Sequence, residues 1–230
     1  MERAPFRVLI GRTFVFLFAR FWLYTALTAG CIAAIAITYA IRQSDTSLFI
    51  GASLFPPIVV AATYAITGHD AGFPFAARAR TVRRFWFVIA IDYIVAPIPS
   101  FAIAAFGIGN VWLGVFLLGV AASLTYADVY VVFEDAPDGL IFVRSFWRSA
   151  VVTWSTLETI GRTVALLAVG LFTILLCAKL QARLEAQHVP FASFWSQVAL
   201  GMIALPAVSV LSALVYLDAT GHETKYVRGK

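Results

Sequence analysis

Residues 111–133 read VWLGVFLLGVAASLTYADVYVVF, and Asp128 is the only charged residue among them. The hydrocarbon core of a bilayer is crossed by about 20 mostly apolar helical residues. A helix packed on a soluble core keeps one polar face, and this run has none. A barrel strand alternates apolar and polar residues over about ten positions, and this run does not alternate. The stretch therefore reads as a helix passing through lipid.

Five more stretches read the same way, near residues 21–41, 48–67, 85–108, 159–180 and 194–217. The expected fold is all-α: a polytopic transmembrane bundle of six spans, with residues 1–230 as a single integral membrane domain. Composition agrees. The chain is 61% apolar and 13% charged, with a mean hydropathy of +0.89. A soluble domain is about half apolar and a quarter charged, and a disordered chain is poorer still in apolar residues. Both classes are excluded. Met1-Glu2-Arg3-Ala4-Pro5 is basic like the start of a signal peptide. The apolar run after it is too long for a signal core and has no cleavage box, so an uncleaved first span is expected.

Orientation follows from Lys and Arg, which gather on the cytoplasmic side of membrane proteins. With the N-terminus inside, fourteen basic residues fall inside: Arg3 to Arg20, Arg78 to Arg84, then Arg144, Arg148 and Arg162, then Lys225, Arg228 and Lys230. Three fall outside: Arg42, Lys179 and Arg183. The chain is expected to be N-in and C-in, a multi-pass protein of a bacterial-type cytoplasmic (inner) membrane. The net charge of +5 then addresses anionic inner-leaflet lipid rather than nucleic acid.

Phe-Trp occurs at 21–22, 85–86, 146–147 and 194–195, a pattern suited to the interfacial aromatic belt. Arg20 and Arg84 precede two of these pairs and are expected to snorkel to phosphate. Two segments read as interfacial. One is Pro5 to Arg20. The other is Gly139 to Glu158, where Leu140, Val143, Trp147, Val151 and Trp154 recur at helical spacing beside Arg144 and Arg148. Asp138 or Asp135 is its expected N-cap, and an extension of the fifth span is the alternative.

Charged groups inside a span are costly and mark candidate sites. Asp92 lies six residues past Trp86, roughly 9 Å into the bilayer at 1.5 Å per residue. Asp128 lies five residues from the inner end of its span. Both belong to the inner half. They read either as a structural cluster paired with Arg144, Arg148 or Arg162, or as a proton-, cation- or substrate-handling site. Pro56-Pro57, Pro97, Pro99 and Pro206 are expected to bend three spans, either as the ordinary prolines of membrane helices or as in transporters built on broken helices. Ala26, Gly30 and Ala34 make a small-residue stripe on the first span, for packing within the chain or for docking a partner membrane subunit.

No metal site is expected. His69-Asp70 and His222-Glu223 close parallel spans, but Gly68 and Gly221 beside them read as helix caps. Cys31 and Cys177 read as buried hydrophobes, and His188 as a loop residue. No cofactor is expected. No G-x-S-x-G, H-E-x-x-H or Walker A motif is present, so no catalytic residue is assigned and the chain reads as non-enzymatic. Arg20-Phe21-Trp22 and Arg84-Phe85-Trp86 hint at loosely repeated hairpins.

The stretch Glu134-Asp-Ala-Pro-Asp-Gly-Leu-Ile-Phe-Val-Arg144-Ser145-Phe146 resembles the acidic-then-Arg-Ser-Trp segment of six-span bacterial proteins related to the membrane domain of glycerophosphoryl diester phosphodiesterases. The resemblance covers about a dozen residues and the six-span layout, with Phe146 where Trp is usual. It implies architecture, not a reaction. The chain is also similar in size to six-span vitamin-capture subunits, which dock through small residues on their first span. Two functions follow as expectations. One is a non-enzymatic membrane protein acting through lipid or partner contacts. The other is a small transporter or substrate-capture subunit with its polar site in the inner half of the bilayer.

Overall fold

The structure is a computed structural model and describes residues 4–42, 45–70, 74–134, 137–189 and 192–221. Among these residues every regular element is helical. In chain order they are α1 (Phe6–Ala19), α2 (Phe21–Arg42), α3 (Asp45–Asp70), α4 (Pro74–Val95), α5 (Ile98–Gly107), α6 (Val111–Leu124), α7 (Ala127–Phe133), α8 (Ile141–Thr153), α9 (Leu157–Ala186), α10 (Ala192–Ala199) and α11 (Leu205–Ala219). A 3-10 turn, Asp138–Leu140, precedes α8, and a π-helical turn, Leu200–Ala204, joins α10 to α11.

Among the described residues five helical stretches are long and apolar enough to cross a membrane: Phe21–Thr38, Val82–Gly107, Val111–Phe133, Leu157–Ala186 and Gly201–Ala219. By length and composition this is a membrane protein. The outer surface agrees, being apolar where a soluble fold is polar. Large apolar groups such as Ile108, Trp112 and Leu157 point outward, while Thr63, Arg84, Ser149, Arg162 and Asp218 are buried. All six tryptophans are exposed, as expected of rings at a lipid boundary.

Helix ends follow from local chemistry. At the α5–α6 turn Gly109 takes a φ of +80°, open to glycine. The Asn110 N–H bonds Ala105 and the Gly109 N–H bonds Phe106, a Schellman closure. The Asn110 side chain then caps α6 by accepting from the Leu113 N–H at 3.1 Å. Thr156 caps α9 in the same way, through the Thr159 N–H at 3.2 Å.

α3 packs against α2, α4 and α11, α1 lies along α11, and α7 and α8 pack together beside α4 and α6. The core is drawn mainly from α3, α4, α7 and α11, and α11 is buried continuously from Ser209 to Asp218.

Several local expectations are corrected. Pro56 and Pro57 lie inside an uninterrupted α3. Proline φ is helical, and membrane helices tolerate the missing N–H when neighbouring helices surround them. The α-helix is interrupted by a turn at Ala96-Pro97 and by the π-helical segment ahead of Pro206. A further break at Thr125-Tyr126 has no proline. There α8 supplies the partners: Ser149 Oγ accepts from the Tyr126 N–H at 3.0 Å, and Thr153 Oγ1 donates to the Ala122 carbonyl at 3.0 Å.

α8 is therefore not purely interfacial. Ile141, Ser145, Ser149, Val152 and Thr153 are buried, while Leu140, Val143, Trp147, Val151 and Trp154 face outward as the spacing implied. It ends before α9 begins, so it does not extend that span. Its N-cap is Leu140, without a side-chain cap, rather than Asp138. α1 also has a buried side, with Leu9, Thr13, Phe16 and Leu17 inside the fold. Gly68 does not cap α3, which runs on to Asp70, whereas Gly221 caps α11 with a φ of +73°. His188 is exposed at a φ of 54°, and its N–H and that of Val189 close the end of α9. Ala26, Gly30 and Ala34 are all exposed, so the small-residue stripe does not pack within the chain. His222, Glu223 and the last three basic residues lie outside the described residues.

Candidate functional site

Asp92 belongs to α4 and Asp128 to the first turn of α7, just after the proline-free break. The two carboxylates lie within electrostatic reach of each other and line one cavity of about 210 Å³. Asp128 is well held. Its Oδ2 accepts from Tyr64 Oη of α3 at 2.7 Å, and its Oδ1 accepts from the Val129 N–H at 2.8 Å. A carboxylate in the first turn also faces the positive end of the helix dipole. Asp92 is different. It is partly buried, and among the described residues it has no hydrogen bond and no ion pair.

The remaining wall is chiefly apolar, including Val95, Leu166, Leu171, Ile174 and Val208. Its other polar groups are few. Ser209 and Ser212 of α11 are among them. Ser212 is 4% exposed, and its Oγ lies beside Tyr64 without a well-formed hydrogen bond.

Three helix interruptions reach this cavity. Ala96 and Pro99 come from the α4–α5 break, Thr125 from the α6–α7 break, and Ala204 and Leu205 from the π turn ahead of Pro206. Backbone groups freed from a helical ladder need other partners, and at the α6–α7 break Ser149 and Thr153 supply them.

The arginines expected beside these carboxylates lie elsewhere. Arg162 is 3% exposed on α9. It donates from Nη1 to Asp218 Oδ2 at 2.5 Å, and from Nη2 to the Ala4 carbonyl at 2.7 Å and to Glu158. Asp218 Oδ1 in turn accepts from the Ala4 N–H at 3.1 Å. Arg148 reaches Tyr216, whose Oη donates to Glu134 Oε1 at 3.0 Å. Arg144 is exposed on the outer face of α8. Arg84 does not reach for phosphate. It is 3% exposed and caps the end of α7, donating to the carbonyls of Val131 at 2.9 Å and Glu134 at 2.8 Å. The last carbonyls of a seven-residue helix lack intrahelical partners, and a buried guanidinium supplies them.

Of the five residues singled out from the sequence, the structure thus joins Asp92 and Asp128 at one cavity and disperses Arg144, Arg148 and Arg162. Sequence reasoning missed Tyr64, which anchors Asp128, and Asp218, which neutralises Arg162. Tyr64 gave a usable signal: a phenol inside an apolar span needs a partner.

Among the described residues no group of three or more His, Cys, Asp or Glu could hold a metal ion. Cys31 and Cys177 are unpaired thiols on different helices. What the cavity offers is two carboxylates of like charge on a chiefly apolar wall. Compared with known proteins, the chain matches no family model, no curated protein and no solved structure.

Proposed function

We propose that this chain is a solute-binding protein of a bacterial-type cytoplasmic membrane, working as a small transporter or substrate-capture subunit. It crosses the bilayer six times with both termini inside. α3 is the sixth span: its 26 residues extend about 39 Å, and residues Leu54–Gly68 form its apolar part. The fourteen-to-three partition of basic residues sets the orientation. The carboxylates then lie in the inner half of the membrane.

One observation carries the reading: three helix interruptions and two intramembrane carboxylates converge on a single cavity. Broken helices around a polar midplane site are how transporters expose backbone groups to a substrate. An ionisable residue in a span otherwise has no reason to persist without a partner, and Asp92 has none among the described residues.

Gly170 supplies the test. It lines the cavity, and a Cβ there meets nothing within 4 Å. Gly170→Leu should fill the space without disturbing the fold. In nanodiscs, small solutes of positive, zero and negative charge are compared by the unfolding midpoint they produce. At least one is expected to stabilise the wild type and not Gly170→Leu. A panel that stabilises neither protein, or both equally, overturns the reading.

A second reading has its own support. The outward face of α8 combines Val143, Trp147 and Val151 with Arg144 and Arg148, which suits the anionic inner leaflet. In this role the protein acts non-enzymatically, through lipid contact. The uncovered Ala26-Gly30-Ala34 stripe fits a partner membrane subunit. The six-span layout shared with the phosphodiesterase-related membrane proteins belongs to the same proposal.

A further inference from the structure

The cavity combines an apolar body with an acidic end, and that pairing restricts what fits. A cavity of 150 Å³ lined by Leu, Ile and Phe admits benzene. The present one, at about 210 Å³, suits a molecule on the order of eight to ten non-hydrogen atoms. Its aliphatic wall accepts a hydrocarbon portion. An anion there would face two carboxylates with no basic side chain among the residues that line the space. A bare inorganic cation would need several oxygen ligands in a defined shell, and carbon forms most of this wall.

The polar end is asymmetric. Asp128 already accepts from Tyr64 and from the Val129 N–H. Asp92 has open acceptor capacity, and the buried Ser212 Oγ is a second unsatisfied polar atom on the same wall. A group carrying both positive charge and N–H donors meets these needs together. It donates to Asp92 and offsets the repulsion between two like charges in a medium of low dielectric.

We propose that the ligand is a small organic ammonium ion, a primary or secondary amine on an apolar skeleton, with its nitrogen at Asp92 and its hydrocarbon among the α9 and α11 side chains. This rests on the cavity being a solute site and goes further by naming the chemical class. Asp92 is the primary contact and Asp128 the charge behind it. Tyr64 positions Asp128.

The test uses the full chain in nanodiscs with 2-phenylethylamine as probe. The neutral isostere 2-phenylethanol, phenylacetate and sodium chloride serve as comparisons at constant ionic strength. The amine is expected to raise the unfolding midpoint of the wild type, and the three comparisons are not. Asp92→Asn is a clean variant, because no hydrogen bond within the described fold depends on that side chain. It should fold as the wild type does and lose at least about tenfold in apparent amine affinity. Gly170→Leu should lose binding as well.

Preference for the alcohol or the acid, abolished by Gly170→Leu, would overturn the ammonium class and leave the solute-binding reading standing. Equal stabilisation by sodium would overturn it in favour of an inorganic cation. Undiminished amine affinity in Asp92→Asn would overturn the assignment of the contact. Failure of every probe against the wild type would overturn the class and the binding reading together.

Discussion

Arg162 brings a permanent positive charge into a dry region, and its surroundings decide whether that is tolerable. Its neighbours are unequal: Asp218 is 5% exposed and Glu158 is 52% exposed. A buried pair stripped of one member leaves an uncompensated charge, at about 3–5 kcal/mol, whereas an exposed pair contributes less than about 1 kcal/mol. Asp218→Asn is therefore expected to destabilise the protein by about 3 kcal/mol, and Glu158→Gln by under about 1 kcal/mol. Unfolding midpoints of the two variants in the same detergent check this; equal shifts would contradict the assigned roles. Asp92 and Asp128 were legible in the sequence because a carboxylate inside an apolar run stands out. The importance of Asp218 was not. It sits at the end of a span, where an acidic residue reads as solvated, and it is buried by Ala4 and Arg162, which lie 214 and 56 positions away in the chain.

At the scale of elements, the interruptions show where local sequence stops being informative. Those next to Pro97 and Pro206 follow from a missing N–H and a ring that clashes with the preceding turn. The break at Thr125-Tyr126 carries no such mark, because Ser149 and Thr153 of α8 make it, more than twenty residues downstream. Conversely, the proline pair of α3 leaves its helix continuous. The π turn adds a close approach. A Cβ built on Gly201 would collide with the ring of Phe55, itself 1% exposed on α3. Overpacking of this kind costs about 1–3 kcal/mol, so Gly201→Ala is expected to lower stability by that amount. Gly161→Ala, on an exposed face of α9 where a Cβ meets nothing within 4 Å, should be neutral or slightly stabilising through helix propensity. Thermal unfolding of the matched pair reads the difference.

For the whole molecule, the apolar runs made the helical membrane character legible, since a chain of 230 residues has too little polar sequence to bury so many helices that are hydrophobic on all sides. How the helices surround the cavity was not legible, because hydropathy does not say which face of a span turns inward. Threading remains an experimental prediction: a reporter active only in the cytoplasm should work when fused to either end of the chain. Activity at one end alone would mean an odd number of crossings, and silence at both would reverse the orientation. The outward placement of all six tryptophans has an optical consequence. No indole lines the cavity, so tryptophan emission, excited where the cavity-lining Tyr64 does not absorb, surveys the surrounding lipid and is blind to occupancy within. Brominated lipids should dim the fluorescence strongly, while a guest lodged among the carboxylates would leave its colour and intensity untouched.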